Sequence, residues 1–184
     1  MWAEHEQVEA ATEKLQRLTA ATHRDYDRAA FIVDNDLDDE GIGTFLYHET
    51  YFGVDKDRHH AAADLSELKA LRDTRTQSRA AVAGSLLQIA KQVLSQFHGG
   101  FGSIPTGRPV LGVDLKDVIW QGRNQSLHWE EGNPRQPIID CFSTLAVSDA
   151  AFATFANDNL AFEIVSALDW RDWGRMENDL LSLT

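Results

Sequence analysis

Arg123, Asn124 and His128 stand within six positions of one another in the run WQGRNQSLHWEEG, residues 120–132. Histidine titrates near neutral pH and can accept or donate a proton. Arginine is a fixed cation whose planar fork grips phosphate through two parallel N–H donors. An amide beside them can orient either a phosphate or an imidazole. Together these residues suit proton transfer and charge stabilisation at a phosphodiester. On a helix, Asn124 and His128 sit about 40° apart on one face, with Trp120 one turn earlier. Arg123 lies about 140° round from His128 and about 7.5 Å along the axis, so its guanidinium meets the imidazole only by bending its long side chain round the helix.

That chemistry needs a helix to carry it, and the flanking residues supply one. Asp114 can cap it and Asp117 favours its first turn. Leu115, Val118, Ile119 and Gly122 share a face, and Gly132-Asn133-Pro134 closes it, giving a motif helix from about Asp114 to Glu131. All four prolines fall between positions 105 and 137, so long helices are permitted over the first 104 residues. Val8, Ala11, Leu15, Leu18, Thr22, Tyr26, Ala29 and Val33 recur at three- and four-residue steps, predicting a long amphipathic N-terminal helix stopped by the acidic stretch Asp34 to Gly43. Residues 44–54 are aromatic-rich and too short for periodicity to separate helix from strand. From about Ala61 the pattern is helical again. There Val82, Leu86, Ile89, Ala90, Val93 and Phe97 form the expected core stripe, which ends at Gly99-Gly100.

The loop from Phe101 to Gly112 carries two prolines and three glycines, and two or three further helices follow. Ile138, Phe142 and Leu145 mark one, Ala161, Ile164, Val165 and Leu168 a second, and Trp173, Met176 and Leu180 a third. With no alternating strand pattern, the expected architecture is an all-α helical bundle with a long N-terminal helix, residues 1–184 forming a single domain.

The composition is 43% hydrophobic and 25% charged, and Cys141 is the one cysteine, which excludes both a disulfide scaffold and a disordered chain. No apolar run is long enough to span a bilayer and no leader pattern opens the chain. The expectation is a soluble cytoplasmic protein with no membrane association. The net charge of −12 argues against a nonspecific nucleic-acid coat protein. By segment the charge is −7 over residues 1–40, +1 over 41–100, neutral over 101–135 and −6 over 136–184, so the middle of the chain can still hold a local anion site.

An Arg-Asn-x-x-x-His run near the end of a late helix in an all-α chain of this size resembles the HEPN family (higher eukaryote and prokaryote nucleotide-binding domains). The matching positions are Arg123, Asn124 and His128. The family pattern is Arg, four to six residues, then His, commonly with a polar residue after the Arg. The resemblance implies a metal-independent endoribonuclease with no cofactor, in which a ribose 2′-hydroxyl attacks the adjacent phosphorus. It also implies a homodimer whose two motif helices face one composite cleft, and a role as a toxin or phage-defence effector, in some members with an antitoxin protein as partner. His128 and Arg123 would then be the catalytic pair with Asn124 orienting, and Lys116 and Arg108 would add RNA-binding charge. In a subset of toxins a tyrosine two residues after the His is modified by an antitoxin nucleotidyltransferase; Glu130 occupies that position here.

The alternative is a noncatalytic helical interaction or nucleotide-binding module, with Arg123 a surface charge and His128 a packed histidine favoured at a helix end by the dipole. Other candidates read as structure. His59-His60 with Asp57 lacks partnering metal ligands, and His48-Glu49 suits a core edge or dimer contact. Cys141 suits a buried inert thiol. Phe152, Phe155, Phe162, Trp170 and Trp173 suit core or an oligomer interface.

Overall fold

The structure is a computed structural model that describes residues 2–35 and 41–184, with side chains from Glu6 onward. It is predominantly helical. The chain forms two compact units, residues 1–75 and 76–184.

The first unit opens with α1 (Trp2–Asp34), on which α2 (Ile42–Thr50) packs. The predicted α1 stripe is the packed one. Val8, Thr22 and Ala29 are buried, and Thr22 satisfies its hydroxyl by donating to the Leu18 carbonyl at 2.9 Å. Val33, at the end of the stripe, is exposed. Of the acidic stretch meant to stop α1, residues 36–40 lie outside the described residues, and Ile42-Gly43 already belong to α2. The aromatic segment left open by periodicity is helical. It completes α2 and continues as a π-helical turn (Tyr51–Asp55) kinked at Gly53, before α3 (Lys56–His98) begins. Buried Asp55 holds this corner, accepting from Arg58 Nε at 2.8 Å and from the Tyr26 hydroxyl at 3.1 Å. The Arg58 hydrogen bond holds the Asp55 carboxyl below its ordinary range.

The second unit contains the later part of α3, and here the expected stripe holds at Ala90, which is buried, and at Leu86, which packs partly buried against the core, and is corrected elsewhere. Val82 and Phe97 are each 64% exposed, and Ile89 and Val93 are exposed too, while the packed face is Ala80, Ala83, Leu87, Ala90 and Leu94. On this face a Cβ built on Gly84 would stand in ordinary van der Waals contact, 3.6 Å from Ser126 Oγ and 3.9 Å from Ala161 Cβ, so the helix lies beside both residues here. α3 ends at His98, with Gly99 left-handed at φ 72°, as its glycines predict. Where no strand was expected, Pro109–Val110 (β1) and Val113–Asp114 (β2) form a short antiparallel hairpin turning through Leu111 and Gly112, both at positive φ. At Gly107, φ is 69° and an added Cβ would lie 2.7 Å from Leu183 Cδ2, so both backbone and space demand glycine.

α4 (Leu115–His128) is the central helix of this unit, and α5 (Gln136–Ser148), α6 (Ala161–Ala167) and α7 (Trp173–Ser182) complete it. Leu115, Val118 and Ile119 on α4 are fully buried with Phe142, Leu145, Ile164 and Leu168. Burying side chains of this size stabilises by roughly 1.5–3 kcal/mol each. Phe152 and Trp170 join this core, whereas Trp173 is exposed. Cys141 is buried and its thiol is pushed up to about 12 by burial, the inert state expected of it. Among the described residues, no helix is long and apolar enough to cross a membrane.

Candidate functional site

α4 is pinned by a residue in the middle of the motif. Gln125 is 2% exposed; its amide donates to the carbonyls of Phe155 (2.8 Å) and Asp158 (2.6 Å), and its oxygen accepts from the Leu160 N–H (3.1 Å). A polar side chain so buried must be satisfied, and these bonds lock the helix against the loop before α6. On the preceding turn, a Cβ on Gly122 would meet Ile164 Cγ2 at 2.9 Å, so glycine is what permits this approach of α4 to α6. With that face fixed, Arg123, Asn124 and His128 line a cleft of about 420 Å³ within the second unit.

The cleft's charges run against those of the whole chain. Its walls hold three fixed cations, Lys91, Arg123 and Arg135, against one carboxylate, Glu131. Asn124 Oδ1 is shared by two of the cations, accepting from Lys91 Nζ at 3.0 Å and Arg123 Nη1 at 3.3 Å, while its Nδ2 donates to Gln121 at 3.3 Å. Arg123 Nε donates to Gln88 Oε1 at 2.5 Å, so Gln88 and Asn124 hold the guanidinium toward α3 instead of letting it bend round to the imidazole. Lys91 Nζ also sits 4.2 Å from the Trp120 ring centroid. Burial, with the Arg123 charge adding to it, lowers the Lys91 pKa. His128 is half-exposed at the end of α4, and its Nδ1 lies 2.6 Å from Glu131 Oε1. Trp129, Pro134, Pro137, Ile138 and Phe155 supply the apolar part of the lining.

The two other expected cations are placed elsewhere. Arg108 makes a two-pronged pair with Asp179, at 2.8 Å for each bond, and also donates to the Leu168 carbonyl at 2.8 Å. Its guanidinium braces the C-terminal helices, and the Asp179 hydrogen bond raises its pKa. Lys116 donates to the Ile104 carbonyl at 3.2 Å and lies over the Phe101 ring. Neither residue lines the cleft.

Gln88, Lys91, Gln121 and Arg135 escaped sequence reasoning. One signal was available for Lys91: it is the single charged residue between Arg79 and His98. In the first unit, His48 stacks on Phe52 and lines an aromatic hollow, and His59 is exposed beside Arg58. No group of three or more potential metal ligands occurs among the described residues. The sequence matches no family model, and no curated protein or solved structure matches it.

Proposed function

We propose that the chain is a metal-independent endoribonuclease of the HEPN type. The observation that carries this reading is one cleft in which an arginine, a lysine, an amide and a half-exposed histidine converge on a chain of net charge −12. In the proposed reaction His128 Nε2 takes the proton of a ribose 2′-hydroxyl. The 2′-oxygen then bonds to the adjacent phosphorus, and the bond from phosphorus to the 5′-oxygen breaks. Arg123 and Lys91 stabilise the extra charge on the phosphoryl oxygens, and the departing 5′-oxygen takes a proton from a general acid, leaving a 2′,3′-cyclic phosphate and a 5′-hydroxyl.

The one motif histidine of each chain supplies one proton-transfer group, so the reading includes a homodimer in which the partner's motif helix completes the cleft. The chain would act as a toxin or phage-defence effector, with an antitoxin as partner in the former case. The test is incubation with single-stranded RNA in excess EDTA, expecting cyclic-phosphate ends and no cleavage where the attacking ribose is replaced by deoxyribose. Adding inactive His128→Ala chains to wild type should lower activity more than dilution does.

A noncatalytic RNA- or nucleotide-binding module is the second reading. What favours it is the Arg123 guanidinium, whose bonds run to Gln88 and Asn124 and leave the imidazole to Glu131. RNA binding at the cleft with no cleavage product would establish it in place of the first.

A further inference from the structure

The charges in the cleft contain one contradiction. A carboxylate, Glu131, lines a surface otherwise built to receive an anion. On an RNA-binding wall a free carboxylate would repel the backbone, yet Glu131 Oε1 lies 2.6 Å from His128 Nδ1, the length of a strong hydrogen bond to an ionised partner.

We propose that Glu131 is the positioning residue for His128, fixing the imidazole with its proton on Nδ1 and leaving Nε2 bare to take a proton from substrate. The inference rests on the ribonuclease reading for its chemical consequence. The geometry stands on its own.

The backbone is shaped to make this bond. α4 ends at His128, a 3-10 turn carries Trp129–Glu131, and the turn ends at Gly132 in the left-handed region at φ 63°, its N–H donating to the Trp129 carbonyl at 3.2 Å. The tighter helix eclipses positions three apart, bringing the Glu131 carboxylate alongside the ring of His128. An L residue at 132 would be strained in that conformation, so the glycine that closes the motif helix also sets the acid's position.

A neutral imidazole carries one N–H, and a carboxylate on one nitrogen selects the tautomer with the proton there. When Nε2 takes the 2′-hydroxyl proton, the imidazolium forms against a negative charge already in place. The Nδ1 proton stays on the ring and Glu131 stays ionised, so protons balance without a second transfer. Once the imidazolium forms, the pair is neutral overall, which offsets the carboxylate's repulsion of phosphate at that stage.

The tautomer is read directly from long-range proton–nitrogen NMR spectra of uniformly labelled protein, with the His128 ring signals assigned by their loss in His128→Ala. Glu131 is 65% exposed, so its variants should fold. In wild type the neutral ring should carry its proton on Nδ1. Glu131→Gln, which keeps an acceptor oxygen, should retain that pattern, and Glu131→Ala should shift it toward Nε2. In cleavage assays kcat should fall about 10-fold or more in Glu131→Ala and less in Glu131→Gln, with KM nearly unchanged. A wild-type ring protonated on Nε2, or a Glu131→Ala variant with both tautomer and kcat unchanged, would overturn the assignment. A tautomer that follows Glu131 in a protein that cleaves no RNA would uphold the orienting bond and overturn the ribonuclease reading instead.

Discussion

Lys91 Nζ is held 3.0 Å from Asn124 Oδ1, the same oxygen that accepts from Arg123 Nη1 at 3.3 Å. Two cations thus share one neutral acceptor, and the Arg123 charge adds to burial in lowering the Lys91 pKa. Their mutual repulsion is relieved when an anion binds, so the arrangement favours phosphate over an empty cleft. Replacing Lys91 with Ala should weaken RNA binding about tenfold and reduce the slope of log affinity against log salt by about one, since one phosphate contact is lost. Filter binding across a salt series checks both.

Arg108 has the opposite expectation. Its two-pronged pair with buried Asp179 is a brace, and Asp179 also accepts from Trp170 Nε1 at 2.8 Å. Arg108→Ala should cost about 2–4 kcal/mol by leaving a buried carboxylate without its cation, and should leave RNA affinity at the cleft unchanged. Denaturant unfolding and binding measured on the same preparation separate the two effects.

Gln125 lies inside the motif and borders the cleft, but its polar atoms are bonded to backbone groups of the loop before α6. Gln125→Leu keeps the bulk but abandons the Phe155 and Asp158 carbonyls and the Leu160 N–H. A loss of about 1–3 kcal/mol is expected, because the buried Leu160 N–H is left unpaired and two part-buried carbonyls lose their donor. Thermal unfolding of the variant gives the answer.

Glu163 provides a pH signature. Among the described residues, its Oε2 is shielded from solvent without a hydrogen-bond partner, and burial, helped by Asp158 and Asp149, raises its pKa above the ordinary 4.5. The folded state therefore holds this proton more tightly than the unfolded state. Its contribution to stability is complete below about pH 4.5 and is lost as pH rises through the raised folded value. Glu163→Gln, neutral throughout, should gain in Tm over wild type, more at about pH 8 than at about pH 4. The site is only partly buried, so the gain should be small, on the order of 1–2 °C.

How much of this was legible in the sequence differs by element. The start of α4 could be read almost to the residue and Leu115, Val118, Ile119 and Gly122 form its buried face, but the helix ends at His128, three residues before the expected end, and Gly132 closes the 3-10 turn that follows. Asp114 stands at the N-cap as expected, although its side chain makes no capping bond. α3 was legible in part: periodicity found Ala90 and Leu86 but set Val82, Ile89, Val93 and Phe97 on the packed face, which Ala80, Ala83, Leu87 and Leu94 occupy instead. The candidate triad was visible because it is local, with all three residues on one helix. Lys91 and Gln88 reach it from α3, more than 30 positions away in the chain, and only tertiary packing brings them there. Glu131 was visible as an acid, but its effect depended on the 3-10 turn that directs it to His128.

Cleavage of RNA by His128 and Arg123, proposed for the cleft beside α4, is measured in single-turnover assays of His128→Ala and Arg123→Ala in excess EDTA. Both side chains stand outside the buried core, so circular dichroism and Tm should match wild type closely. The predicted result is cleavage by wild type, no detectable cleavage by His128→Ala, and a loss of 100-fold or more, in order of magnitude, by Arg123→Ala. Cleavage at the wild-type rate by a folded His128→Ala protein would contradict the account.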